Sequence, residues 1–226
     1  MIETAEQMYV YFLKLINKEK THTVIPSVFN FLINVYVINW VKGKLPTSEY
    51  NQRMVDDLQV LLVDGELTNG ILPIAESVFS VPLDYMHGIS ALFDLNCVGS
   101  PCYPDGLKSK LTGVLLKSAN KNTIFSSFYR RPKDSRLYFR YSQNKIRLFT
   151  GKDSGTSNSY GSKLYLDYYR LPNKIEYVYN GVSTNSEFKA SQQQEIVERA
   201  AQEYLENNRD PRYQSFLNEQ VQRNRM

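Results

Sequence analysis

The chain has 226 residues, of which 42% are hydrophobic and 22% charged, and a net charge of +4. That apolar content supports a folded core in one large domain or two intimate lobes and excludes a disordered chain. Two cysteines, Cys97 and Cys102, exclude a disulfide framework, and with His87 as the nearest imidazole they fall short of the four ligands of structural zinc.

The opening Glu3 to Glu19 is predicted to be helical: Thr4 and Gln7 form a capping box, and Met8, Tyr11, Phe12, Leu15 and Ile16 share one face. A turn at Thr21-His22-Thr23 leads to a second helix, Ser27 to Val41, with Pro26 in its first turn. β-Branched residues there also suit a strand, but length and the four-residue spacing of Asn30 and Asn34 favour the helix. Polar interruptions make this stretch too short for a membrane span, and Met1-Ile2-Glu3-Thr4 lacks a signal-peptide pattern, so a soluble protein is expected. A third helix, Glu49 to Leu62, puts Met54, Leu58, Leu61 and Leu62 on one face.

From Leu72 to Val182 the period changes to two. Ile89, Ala91, Phe93 and Leu95 read as a strand. Leu137, Phe139 and Tyr141, then Ile146, Leu148 and Thr150, flank Gln143-Asn144 as the clearest hairpin. Gly151 to Gly161 reads as a flexible loop, followed by strands Lys163 to Leu171 and Ile175 to Tyr179. Helical period returns with a capping box at Ser191 and Gln194 and a stripe of Ile196, Val197, Ala200, Ala201, Tyr204 and Leu205. The expected fold is α+β, with N- and C-terminal helices packed as a small bundle around a central antiparallel β-rich lobe. The expected divisions are 1–71 helical, 72–185 β-rich, 186–208 a C-terminal helix on the N-terminal ones, and 209–226 an arm.

No nucleophile elbow, zinc-protease motif or phosphate-cradling loop occurs, and two histidines offer little for a triad, so no catalytic residue, metal or cofactor is expected. Asp56-Asp57 reads as a solvated helix face. Charge is more informative. Residues 121–152 hold nine basic side chains and one acid, Asp134, leaving the rest of the chain at −4. Arg130, Arg131, Arg136, Arg140 and Arg147 interleave with aromatics, Tyr141 among them. Such a stretch could dock on an acidic neighbour, lie as a solvated face with arginines over tyrosine rings, or, over 128–147, bind single-stranded nucleic acid. Of 28 Tyr and Phe side chains, 17 are Tyr, which suits recognition surfaces and a Tyr-rich sheet core alike. After Pro211, the residues Arg212, Tyr213, Phe216, Leu217, Val221 and Arg225 read either as an inter-subunit arm or as a frayed tail.

As a whole the chain resembles the ring proteins of crAss-like tailed bacteriophages. The resemblance rests on the order of five segments: Val55-Asp56-Asp57-Leu58-Gln59-Val60-Leu61-Leu62-Val63, Val81-Pro82-Leu83-Asp84-Tyr85 before a strand ending at Cys97, Ser126-Ser127-Phe128-Tyr129-Arg130, Leu166-Asp167-Tyr168-Tyr169-Arg170-Leu171-Pro172, and Glu195-Ile196-Val197-Glu198-Arg199-Ala200-Ala201. It implies a virion structural protein, assembled in the host cytoplasm, that forms a closed ring, commonly twelvefold. Such a ring would sit in the head-to-tail connector or tail barrel and touch the portal, adjoining ring or tail proteins, and the passing viral DNA. It implies no catalytic residue and no membrane.

Overall fold

The computed structural model describes residues 3–16, 24–48, 52–65, 67, 70–97, 107–155 and 158–207. The fold is α+β and divides into two compact units, residues 1–60 with 172–226 and residues 61–171.

The first unit holds α1 (Ala5–Leu15), α2 (Pro26–Ser48), α3 (Gln52–Leu58) and α5 (Ala190–Asn207). Thr4 caps α1, its hydroxyl accepting the Gln7 N–H at 3.2 Å, and Met8, Phe12 and Ile16 are buried. Helix α2 continues past Val41 to Ser48, burying Phe29, Ile33, Val37, Trp40 and Val41. Both α1 and α2 pack on α5, with Phe12 edge-on to Tyr204 at 5.7 Å. Helix α3 is shorter than expected. A 3-10 turn, Gln59–Leu61, ends it and turns Leu62 outward, so Leu58 and Leu61 are buried while Leu62 is exposed. The α5 cap also differs: Gln192 Oε1 accepts the Lys189 N–H at 2.9 Å, while Gln194 donates to Glu198.

Ile175 to Val178 lies in none of the named strands; one edge of it makes an isolated antiparallel bridge, Glu176 with Thr184. Asn34 donates through Nδ2 to the Ile175 carbonyl at 2.7 Å and accepts the Ile175 N–H at 2.9 Å. Asn30 does the same for Tyr177, at 3.0 and 2.9 Å. Two carboxamides one helical turn apart thus meet alternate residues of an extended chain, because helical i, i+4 spacing matches the two-residue repeat of a strand. The amides supply the partners a neighbouring strand would otherwise give.

The second unit is a curled sheet of eight strands: β1 (Leu62–Val63), β2 (Pro73–Ala75), β3 (Val78–Ser80), β4 (Tyr85–Cys97), β5 (Leu107–Leu115), β6 (Leu137–Ser142), β7 (Lys145–Phe149) and β8 (Ser159–Arg170). Their order is β1-β8-β4-β5-β6-β7-β3-β2. The far end returns to β8: Ile71 and Leu164 exchange backbone hydrogen bonds of 2.6 and 3.0 Å. The expected all-antiparallel lobe needs one correction, since β5 and β6 run parallel. The crossover between them carries the short helix α4 (Lys121–Ser126).

The curl closes over Phe79, Ala91, Phe93, Leu95, Leu137, Phe139, Ile146, Leu148, Leu164 and Leu166, with Cys97 also inside. Gly113 exists for this packing: a Cβ there would sit 2.5 Å from Phe93 and 2.8 Å from Phe139. Ile89 is exposed, unlike the other residues expected on its face, because β4 gains a residue against β8 between Gly88 and Ser90. A bulge reverses which side chains point inward. Gly88 then faces the interior, where a Cβ would meet the Tyr141 hydroxyl at 2.3 Å.

The expected loop 151–161 is largely ordered structure. Gly151–Ser154 is a 3-10 turn with a reciprocal cap between Thr150 and Asp153, and β8 already begins at Ser159. Thr150 is buried and donates its hydroxyl to the Ser159 carbonyl at 2.6 Å.

Candidate contact surface on the β unit

The basic stretch occupies three different settings. Strand alternation sends Leu137, Phe139 and Tyr141 inward and Tyr138 and Arg140 outward, across from Phe149 and Arg147 of β7. Tyr141 was expected at the contact surface, but it packs against Tyr85 at 5.5 Å and Phe139 at 5.7 Å. Burial, followed by its hydrogen bond to Tyr85, pushes its phenol well above the usual range. Tyr141 is therefore partly buried against the core of the β unit.

The outer face of β6 and β7 is partly roofed. Tyr138, Phe149 and Leu116 form a second small core on which Ile124 and Phe125 of α4 pack, with Phe125 edge-on to Phe149 at 5.3 Å. Cations flank the Phe149 ring, Lys121 at 5.7 Å and Arg147 at 5.2 Å. Such contacts hold charge at a protein surface without an acid partner. Arg140 and Arg147 oppose each other directly in the ladder, a repulsive pair unless an anion lies between or beside them. Arg147 also reaches Asp153 at 3.4 Å, and Lys152 pairs with Glu76.

Arg130, Arg131 and Arg136 lie together on the turn that follows α4. Phe128 and Tyr129 project from this turn, 64% and 79% exposed, edge-on to each other at 5.5 Å. The Arg131 guanidinium lies 4.8 Å from the Phe128 ring centre and the Lys133 ammonium 5.4 Å. Arg136 donates to the Tyr129 carbonyl, and Ser154 donates to the Pro132 carbonyl at 2.6 Å, which ties the turn to the 3-10 segment. Asp134, the one acid of the stretch, accepts from Ser159. Among the described residues Arg130, Arg131 and Arg140 form no ion pair, and the Nε atoms of Arg131 and Arg140 are buried without a hydrogen-bond partner.

The arrangement offers two exposed aromatic faces, several unneutralised guanidinium groups and a backbone held by the sheet. It can take an acidic protein surface or a phosphate chain with a base stacked on Phe128 or Tyr129. Phe128 and Tyr129 were legible beforehand only as neighbours of arginines; their exposure follows from the turn after α4. The proposed arm residues Arg212, Tyr213, Phe216, Leu217, Val221 and Arg225 lie outside the described residues. Among the described residues no group of three or more His, Cys, Asp or Glu side chains could hold a metal, and no helix is long and apolar enough to cross a membrane. No protein-family model matches the chain, and no curated protein matches it.

Proposed function

We propose that this protein is a structural subunit of a tailed-phage virion, one copy of a closed ring in the head-to-tail connector or tail barrel. The observation that carries the reading is the exposed Phe128–Tyr129 pair set among unneutralised arginines on the β unit. A rigid, cation-rich aromatic edge suits a joint with a surface of opposite charge, and residues outside 121–152 sum to −4. A head-to-tail contact joins two different patches of one protein and closes into a ring when the rotation permits. The order of sequence segments shared with crAss-like ring proteins supports the same reading and suggests twelve copies, with portal and adjoining ring or tail proteins as neighbours. We read the helices of the first unit as a small bundle that serves as the body of the subunit. No catalytic role is assigned. Native mass spectrometry and electron microscopy of the purified protein, with a mass-spectrometric search of phage particles, test this. A chain that stays monomeric at every concentration and is absent from particles refutes it.

The exposed aromatic pair also favours a second reading, single-stranded nucleic-acid binding over 128–147. Arg130→Ala and Arg131→Ala should each weaken binding of a single-stranded oligonucleotide. Each should also reduce the slope of log K against log salt by about 0.7, the value for one lost phosphate contact. Binding that is absent at low salt removes this reading.

A further inference from the structure

Strand alternation puts three cross-strand pairs on the outer face of the β6–β7 hairpin: Tyr138 with Phe149, Arg140 with Arg147, and Ser142 with Lys145. Helix α4 packs on the first pair through Phe125. In the other two, Ser142, Lys145 and Arg147 are exposed and Arg140 is half-buried. Three cations and a hydroxyl thus occupy neighbouring positions of one sheet face. The acid paired with them, Asp153, reaches Arg147 alone of the three, at 3.4 Å.

This arrangement is costly when empty. Directly opposed residues bring their Cβ atoms to about 4.5–5.5 Å, and like charges so placed destabilise a sheet. Arg140 adds a second cost, because its Nε–H is closed off from water and meets no acceptor. An anion held between the two guanidinium groups removes both. Arginine grips oxyanions with a planar fork of N–H donors, so a group bound through Nε and a terminal nitrogen supplies the missing acceptor.

Charge and shape select the anion. Arg140, Arg147 and Lys145 carry +3 and Asp153 returns −1, which leaves +2. A phosphate group carries about −1.5 to −2 at pH 7 and three strong acceptor oxygens. Those oxygens are set tetrahedrally, so forks arriving from opposite strands are both met. A carboxylate is planar, with two oxygens and a single charge, and matches one fork only.

We propose that Arg140 and Arg147, with Lys145, form a binding site for a phosphate group. The site stands apart from the Phe128–Tyr129 turn and does not depend on ring formation. Free phosphate and the phosphates of a nucleic-acid strand present the same chemistry; for the strand as source, the proposal rests on the second reading above.

The test uses the full chain in phosphate-free buffer. Inorganic phosphate should raise the midpoint of thermal unfolding, followed by tyrosine fluorescence, above that in chloride or acetate of equal ionic strength, because a ligand of the folded chain stabilises it. Isothermal titration of inorganic phosphate should give a dissociation constant about tenfold higher in Arg140→Gln and in Arg147→Gln, as expected for a lost charge-assisted hydrogen bond. Arg130→Ala, on the turn, should bind phosphate like the native chain. Far-UV circular dichroism certifies the fold of each variant, and the comparison of phosphate with acetate needs no variant at all. No shift with phosphate, an equal shift with acetate, or equal binding by the native chain and both glutamine variants overturns the proposal. A single-stranded oligonucleotide then separates the sources: inorganic phosphate displaces it, and the glutamine variants weaken it, when the strand fills this site. An oligonucleotide that fails to bind removes the second reading and leaves the phosphate site standing, so the two failures are told apart.

Discussion

Asn34→Ala removes a defined set of bonds from the helical unit. The carboxamide holds both backbone groups of Ile175, at 2.7 and 2.9 Å, and donates to the Asn30 carbonyl at 2.7 Å. Ile175 is 1% exposed, so its freed N–H and C=O have poor access to water. Leaving a buried backbone group unsatisfied costs about 1–3 kcal/mol. Two such groups, with some water entering the space left by the truncation, give an expected loss of about 3 kcal/mol. At about 2–4 °C per kcal/mol for a chain of this size, the midpoint of thermal unfolding should fall by about 6–12 °C. The assay is built in: Trp40 is the single tryptophan, it is buried in α2 against Phe188, and its fluorescence in urea reports this unit without interference from the β unit. Asn34→Asp keeps the acceptor for Ile175 N–H but points an anion at the Ile175 carbonyl. It should cost more than alanine at pH 7 and recover in part below about pH 4, where the carboxyl gains a proton to donate. A loss under about 0.5 kcal/mol for Asn34→Ala, with an unchanged urea slope, would refute the claim that the asparagine pair substitutes for a strand.

Three further outcomes follow from the β unit. Gly113→Ala should destabilise it by about 1–3 kcal/mol in urea followed by tyrosine fluorescence, since the new methyl falls within 3 Å of both Phe93 and Phe139; a neutral effect would mean these rings can move apart freely. Burial, with a hydrogen bond to Asp84, pushes the Tyr168 phenol up to about 12. Because the folded state holds this proton more tightly than the unfolded state, its contribution is full below about pH 10, the ordinary tyrosine value, and is lost as pH rises toward 12. Alkaline unfolding should therefore be shallower over that window in Tyr168→Phe, and an unchanged profile would contradict the assignment. Phe128→Ala with Tyr129→Ala should leave thermal stability within about 0.5 kcal/mol, as expected of exposed sites, yet weaken subunit association in native mass spectra; association unaffected by the pair would place the joint elsewhere.

Several features were legible in the sequence because they depend on near neighbours. The Thr4 cap, the buried face of α5, the Gln143-Asn144 hairpin and the concentration of charge in 121–152 each follow from spacing over a few residues. Tertiary partners decided the rest. Strand β5 reads Leu107-Lys108-Ser109-Lys110-Leu111-Thr112-Gly113, with little apolar alternation, and is a strand because β4 and β6 flank it. Ile175 to Tyr179 has strand composition yet belongs to the helical unit, because Asn30 and Asn34 reach its backbone from 147 and 141 residues away. The bulge at Ile89 is set by register against β8, which no local pattern encodes. The arginines divided in the same way. Their number and sign are properties of the chain, whereas pleat and turn decided that Tyr141 goes inward, Arg140 and Arg147 stand on a sheet face, and Phe128 and Tyr129 are left in the open. Periodicity fixes which side chains share a face; only the packed neighbours determine which face water still reaches.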